Sequence, residues 1–237
     1  MLSLTKRLIT SASFLIVGLL TVGCSVLPAS DAAQTPKPTR HSLAGGNDAA
    51  IQAARKNPAK ALKESLYKFL EAKSFRSRQE GSEGGVTIRS YGEFVAPDRY
   101  YVSHHWGDNQ QEIILIGGNS YLKTGDVWQK GPAEYSQYLN RISFLSREMI
   151  EQVDKVPAVR FLRTEIYQGK PAIVYKYDDR GMKGGHSWKA SMKIWVTAFD
   201  GLPRKSVFEG DFGGMITSGV MTWSDFGADI KIEAPIN

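Results

Sequence analysis

Residues 188–198 read WKASMKIWVTA, and an apolar side chain stands at every second position. The positions between them are mostly polar. Strict alternation over this length is typical of a β-strand that buries one face of a sheet. The apolar members of the pattern are Trp188, Ala190, Met192, Ile194, Val196 and Ala198. They predict a strand whose even-numbered side chains share one buried face.

Shorter alternating patterns elsewhere predict further strands. Val86, Ile88 and Phe94 alternate with polar residues, and Tyr100 and Val102 do the same a little later. Additional short strands are predicted near 74–80, 111–116, 119–123, 158–167, 171–178, 203–209, 216–225 and 229–233. The chain therefore contains about eleven strands.

Glycine-rich segments between the predicted strands indicate short connections. Three of them, at 81–85 (GSEGG), 181–185 (GMKGG) and 210–214 (GDFGG), are predicted to be loops of several residues. Connections this short favour antiparallel neighbours, because a parallel crossover needs a dozen or more residues. A single sheet of so many strands is expected to curl, which leaves a concave face to be covered.

A helix precedes the strands. Asn57 is a suitable N-cap and Pro58 suits the first helical position. Leu62, Leu66 and Phe69 then recur at helical spacing and form one apolar stripe. An extra turn or two is expected between 48 and 55.

A second helical region separates two groups of strands. Between 128 and 157, Pro132 and Ser146 are each expected to start a short helix. The order of elements predicts an α+β domain with one large curved antiparallel sheet and helices covering the concave side. Two alternatives remain open: the helices fill the concave side completely, or they leave a pocket for an acyl chain.

The N-terminus is predicted to be an export signal. Residues 1–23 combine a basic start with an apolar run of about 15 residues, too short to span a membrane as a helix. Cys24, the single cysteine of the chain, follows that run directly and is predicted to carry the lipid anchor; the alternative is an ordinary cleavage site. Residues 24–47 are then the lipidated Cys and a flexible tether, and 48–237 a single folded domain.

Composition and motifs point away from most catalytic functions. The 237 residues carry a formal net charge of +6, and removal of the two basic residues of the signal would leave +4, too little to suggest nucleic-acid binding. Neighbouring His104 and His105 are expected on opposite faces of a strand, where they cannot share a metal. Asp178 and Asp179 are interpreted as solvated charges at a strand end. The sequence predicts no metal site, no cofactor and no catalytic residue.

Several short motifs, in this order, resemble the LolA/LolB and LppX/LprG superfamily of periplasmic lipoprotein and lipid carriers. They are GEFVAPDRYY at 92–101, YLK at 121–123, GLPRK at 201–205 and WSDFG at 223–227. The resemblance covers roughly 58–234. It implies an unclosed β-barrel with helices lying across its mouth as a lid, a hydrophobic cavity for acyl chains, and no enzymatic activity.

The leading hypothesis is a lipid-anchored envelope protein that binds or carries a lipid or lipoprotein acyl chain, at the periplasmic face of the outer membrane if the host has two membranes. Candidate cavity residues are Val86, Ile88, Phe94, Tyr100, Val102, Met192, Ile194 and Val196. A second hypothesis is a non-enzymatic envelope sensor or scaffold that docks a partner protein through the same sheet. A third is a hydrolase with an unrecognised site.

Overall fold

The computed structural model describes residues 45–132, 150–151, 153, 159–183 and 186–236. Within these residues it contains two helices, α1 (Gly45–Lys56) and α2 (Pro58–Leu70), and eleven strands. The strands are β1 (Ser74–Glu83), β2 (Val86–Val95), β3 (Arg99–Trp106), β4 (Asn109–Ile116), β5 (Asn119–Thr124), β6 (Val127–Lys130), β7 (Arg160–Tyr167), β8 (Lys170–Lys183), β9 (His186–Thr197), β10 (Pro203–Phe212) and β11 (Met215–Ser224).

Local signals account for helix α2. The Asn57 side chain accepts a hydrogen bond from the Lys60 backbone N–H at 3.1 Å, and Pro58 occupies the first turn, so the predicted cap is confirmed. The predicted stripe of Leu62, Leu66 and Phe69 is buried. Neither helix of the described part of the chain has the length and apolar character to cross a bilayer.

All strands belong to one antiparallel sheet in the order β6-β5-β4-β3-β2-β1-β11-β10-β9-β8-β7. Two meanders, β1–β6 and β7–β11, meet where β1 pairs with β11. Because β6 and β7 lie at opposite ends of this order, the described sheet is not closed. The predicted α+β fold with a large unclosed antiparallel sheet is confirmed.

The two faces of the sheet have different partners. On one face Ile173, Tyr175 and Ile194 form a core cluster with Leu62 and Leu66 of α2. We call this helix-bearing side the inner face and the opposite side the outer face. Outer-face residues such as Val174 and Trp195 form a separate buried cluster.

The glycine-rich connections are shorter than predicted. β1 runs on to Glu83, and only Gly84 and Gly85 form the turn, both with positive φ (55° and 84°). Gly213 and Gly214 likewise form the turn after β10 (φ 63° and 97°). The prediction of longer loops was wrong because only the two central turn positions require the left-handed conformation that glycine tolerates. The remaining residues of each segment pair as strand.

The C-terminal segment corrects a second prediction. Residues 225–236 contain no strand, although one was expected at 229–233. Ile230 and Ile232 instead pack on the outer face against Ile114. The Arg99 guanidinium donates a hydrogen bond to the Ile232 carbonyl oxygen at 2.8 Å. The alternation of apolar residues here reflects an extended segment lying on the sheet, not a paired strand.

Most of the predicted second helical region lies outside the described residues. Of that region, Ile150 and Glu151 are helical. Ile150 is fully buried and belongs to the same core cluster as Leu62.

Candidate functional site: the inner face of the sheet

The strand register places all eight predicted cavity residues on the inner face. On the β7–β11 side, Met192 is opposite Phe208 and Ile194 is opposite Ser206, in line with the helix-facing cluster. On the β1–β6 side, Phe94 pairs with Phe75, whose ring contacts helix α2. The residues that share this face are Val86, Ile88, Phe94, Tyr100, Val102, Met192, Ile194 and Val196. Whether they line a cavity stays a prediction.

The eight residues fall into two groups with different surroundings. Met192, Ile194 and Val196 are buried in the cluster that contains Leu62 and Leu66, so the helices cover them. The other five lie on β2 and β3. The sequence pattern does not distinguish these groups, because alternation reports only the face of a strand.

Beyond the helices, the inner face continues as an apolar surface on β3, β4 and β5. Tyr100, Val102, Ile113, Leu115 and Leu122 form a cluster that includes no residue of α1 or α2 among the described residues. The described helices make most of their contacts with β7, β8 and β10, which lie in the other half of the strand order. Ile113 and Leu115 are 8% and 3% exposed, so this cluster is buried although it contains no residue of α1 or α2.

A row of aromatic rings connects the two sides. Phe69 of α2 lies 4.8 Å from Phe75, Phe75 lies 5.1 Å from Phe94, and Phe94 lies 4.9 Å from Tyr100, each between ring centroids. We call these four residues the aromatic row. These separations are in the range in which tilted aromatic pairs attract one another. The sequence analysis did not identify Phe75 as a site residue, since it stands alone in a polar stretch.

Polar groups lie on the inner face of β1–β3, towards the end of the strands away from the aromatic row. Gln79 and Glu83 are buried, and the Ser90 hydroxyl lies 2.6 Å from Nδ1 of His104. Burial raises the pKa of the Glu83 carboxyl. Burial, with a smaller effect from the neighbouring His105, lowers the pKa of His104. His104 and His105 lie on opposite faces, as predicted, since they pair with successive residues of β2.

The outer face carries ordinary ion pairs. Lys123 lies 2.8 Å from Glu112, and its hydrogen bond lowers the pKa of that carboxyl. Tyr101 also donates to Glu112, and burial together with this bond raises the pKa of Tyr101 to about 12. These groups hold neighbouring strands together.

Asp178, the first residue of the predicted acidic pair, is neutralised by two cations. It lies 2.6 Å from Arg160 and 3.0 Å from Lys176. Burial opposes ionisation of this carboxyl, but the hydrogen bonds it accepts and the two positive charges outweigh burial and lower its pKa. Across the described ranges, His, Cys, Asp and Glu side chains form no group of three that could hold a metal ion.

Comparisons with known proteins identify the fold. No family model matches the chain, and no curated protein has a significantly similar sequence. Among solved structures, lipoprotein LppX of Mycobacterium tuberculosis is similar with a TM-score of 0.56 and 15% identity, covering 75% of this chain and 100% of that one. LprF of Mycobacterium bovis has a TM-score of 0.56 at 13% identity, covering 77% and 98%. A LolA superfamily protein of Nitrosomonas europaea has a TM-score of only 0.30 at 11% identity, covering 73% and 94%.

The architecture is thus that of an unclosed antiparallel sheet with helices on one face. More particularly, the chain has the LppX-like fold, which confirms at the level of fold the resemblance seen in its motifs. At these identities the likeness establishes the fold and leaves the ligand to be argued from the residues of this chain.

Proposed function

We propose that this chain is a lipid-anchored protein of the bacterial envelope that binds or carries an acyl chain of a lipid or lipoprotein on its inner face. The observation that carries the proposal is the apolar cluster of Tyr100, Val102, Ile113, Leu115 and Leu122 on the inner face, which contains no residue of either described helix. Burial of an alkyl chain there would be favourable by roughly 0.8 kcal/mol for each methylene removed from water. The LppX-like fold and the resemblance to lipid carriers support the same interpretation.

The proposed role is binding rather than catalysis. The inner face supplies apolar contacts. In the acidic pair Asp178–Asp179, the Asp178 carboxylate forms ion pairs with Arg160 and Lys176. An anchor at Cys24 would hold the domain at a membrane without a spanning helix. We further propose that the anchored protein resides at the outer membrane, if the host has two membranes, and takes part in lipid transport.

Two adjacent residues of β3 provide a matched test. Val102 lies on the inner face and Ser103 on the outer face, because neighbouring residues of a strand point to opposite sides. We expect Val102→Glu to weaken binding of a fluorescent fatty acid at least tenfold, since it places a carboxylate in the apolar surface. Ser103→Glu should leave the affinity within about twofold.

Lipid extraction and native mass spectrometry of the purified protein would identify a bound ligand directly. A wild-type chain that carries no lipid and binds no acyl probe would overturn the proposal. That outcome would favour the other hypothesis, in which the sheet docks a partner protein.

A further inference from the structure

Among the described residues, three sheet side chains on the inner face have a buried polar atom without a hydrogen-bond partner: Glu83 (Oε2), Trp106 (Nε1) and Trp223 (Nε1). Trp223 packs beside Phe69 of α2, whereas Glu83 and Trp106 lie at the other end of β1–β3. The Glu83 residue is only 8% exposed. Most buried polar groups in folded proteins are hydrogen-bonded, and each exception requires an explanation.

The register brings the two side chains to the same region. Glu83 of β1 lies opposite Val86 of β2, and Trp106 of β3 lies opposite Ile88 of β2. Only β2 therefore separates their strands, and the two positions are offset by two residues along it, so their Cα atoms are about 12 Å apart. Both side chains are on the inner face, and the apolar Val86 and Ile88 lie between them.

The two atoms have complementary hydrogen-bonding capacity. A carboxyl oxygen accepts a hydrogen bond, and the indole N–H can only donate one. A hydroxyl group both donates and accepts, so it matches this combination. A methyl or methylene group would leave both atoms unsatisfied.

The charge around Glu83 disfavours an anion. Its neighbours across the two adjoining strands, Val86 and Thr217, are uncharged. The nearby cations Arg78 and Arg89 lie on the outer face, where Arg78 stacks over Tyr91 at 5.6 Å. On the inner face of β1, β2 and β11, as far as the structure describes the chain, no Lys or Arg stands near Glu83 to offset the repulsion that a bound phosphate or carboxylate would meet from this carboxylate.

We propose that Glu83 and Trp106 form a hydrogen-bonding subsite for an uncharged hydroxyl group of the ligand whose acyl chain lies on the apolar part of the inner face. This inference rests on the proposed function and deepens it. It assigns the polar end of the ligand to β1–β3 and selects neutral hydroxylated lipids over anionic ones with the same chain.

Three probes with one acyl chain separate the contributions. Methyl oleate has no hydroxyl group, monooleoylglycerol has two, and oleoyl lysophosphatidate carries a phosphate. Each is titrated against the full chain loaded with a fluorescent fatty acid. We expect monooleoylglycerol to displace the fatty acid at a concentration at least tenfold lower than either of the other two probes.

Conservative variants assign the effect to the two side chains. Trp106→Phe removes the N–H and keeps an aromatic, though smaller, side chain, so it should reduce the preference for monooleoylglycerol over methyl oleate by about fivefold or more. Trp223→Phe is the matched control, because its Nε1 is also buried and unpartnered but the ring packs beside Phe69. This control should leave the preference unchanged. Glu83→Gln keeps the shape and removes the charge, and should improve binding of oleoyl lysophosphatidate.

The outcomes test the hydroxyl subsite separately from the proposed binding of an acyl chain. If all three probes bind equally, or if Trp106→Phe and Trp223→Phe behave alike, the subsite is refuted while acyl-chain binding stands. If no probe binds the wild-type chain, the proposed function fails and the subsite fails with it. Stronger binding of lysophosphatidate than of monooleoylglycerol to the wild type would refute the assignment of a neutral ligand.

Discussion

The Leu62→Ala variant measures how firmly helix α2 is held on the inner face. Leu62 is fully buried and belongs to the cluster that contains Ile173 and Ile194. The substitution removes three carbon atoms, which corresponds to roughly 2.4 kcal/mol at about 0.8 kcal/mol for each buried methylene. The cavity that remains adds to this cost, so we expect the free energy of unfolding to fall by about 3–4 kcal/mol.

Urea denaturation followed by tryptophan fluorescence gives this number. With a slope of about 2 kcal/mol per molar urea, the unfolding midpoint should fall by about 1.5–2 M at an unchanged slope. Leu162→Ala is the control, because Leu162 lies on edge strand β7 and is 38% exposed. It should cost less than about 1 kcal/mol. Equal costs for the two variants would refute the conclusion that the leucine stripe of α2 anchors the helix to the sheet.

Three further predictions follow from individual residues. Gly81→Ala should lower the free energy of unfolding by about 1–3 kcal/mol, because a Cβ there would lie 2.2 Å from the Ser218 carbonyl oxygen in the β1–β11 pair. Gly118→Ala is the control, since a Cβ at that position would meet nothing within 4 Å. Equal costs for the two variants would contradict the close approach at Gly81. Burial raises the folded-state pKa of Glu83 above its unfolded value, so its contribution to stability increases as the pH falls from neutral towards the unfolded pKa. Glu83→Gln should therefore be more stable than the wild type at pH 7, with a smaller difference in urea midpoint at pH 5; a constant difference would count against a buried carboxyl. Cys24→Ala should move the chain from the membrane to the soluble fraction, and an unchanged membrane fraction would contradict the lipid anchor.

Features set by neighbouring residues were predictable from the sequence. The cap at Asn57, the proline that follows it and the stripe of α2 all depend on contacts within a few positions. Alternation likewise assigns the faces of β2, β3 and β9, because side chains of a strand must point to opposite sides. For this reason all eight predicted cavity residues share one face.

Features set by distant contacts were not predictable. β1 pairs with β11 across more than 130 positions of sequence, as in Ser82 opposite Ser218, and no local signal identifies that partner. Phe75 gains its significance from the fold, which places its ring beside Phe94 across the β1–β2 pair and beside Phe69 of α2. Glu83 stands in a glycine-rich segment that is typical of a solvated turn, whereas the structure continues β1 through it and buries the carboxyl.

The same alternation therefore occurs in two different environments, one packed against the described helices and one that contains no residue of either. The aromatic row begins at Phe69, in the last turns of α2, and continues through Phe75 to Phe94 of β2 and Tyr100 of β3. Residues on the β8–β10 side of this row bury their apolar surface against α1 and α2 and contribute to stability. On the β3–β5 side, equally apolar side chains form a cluster that contains no residue of α1 or α2, with Ile113 and Leu115 buried in it. Composition and periodicity are alike on both sides, so alternation alone does not separate the helix-packed core from the proposed binding surface. Loss of Leu62 should therefore affect stability, whereas a charge at Val102 should affect binding.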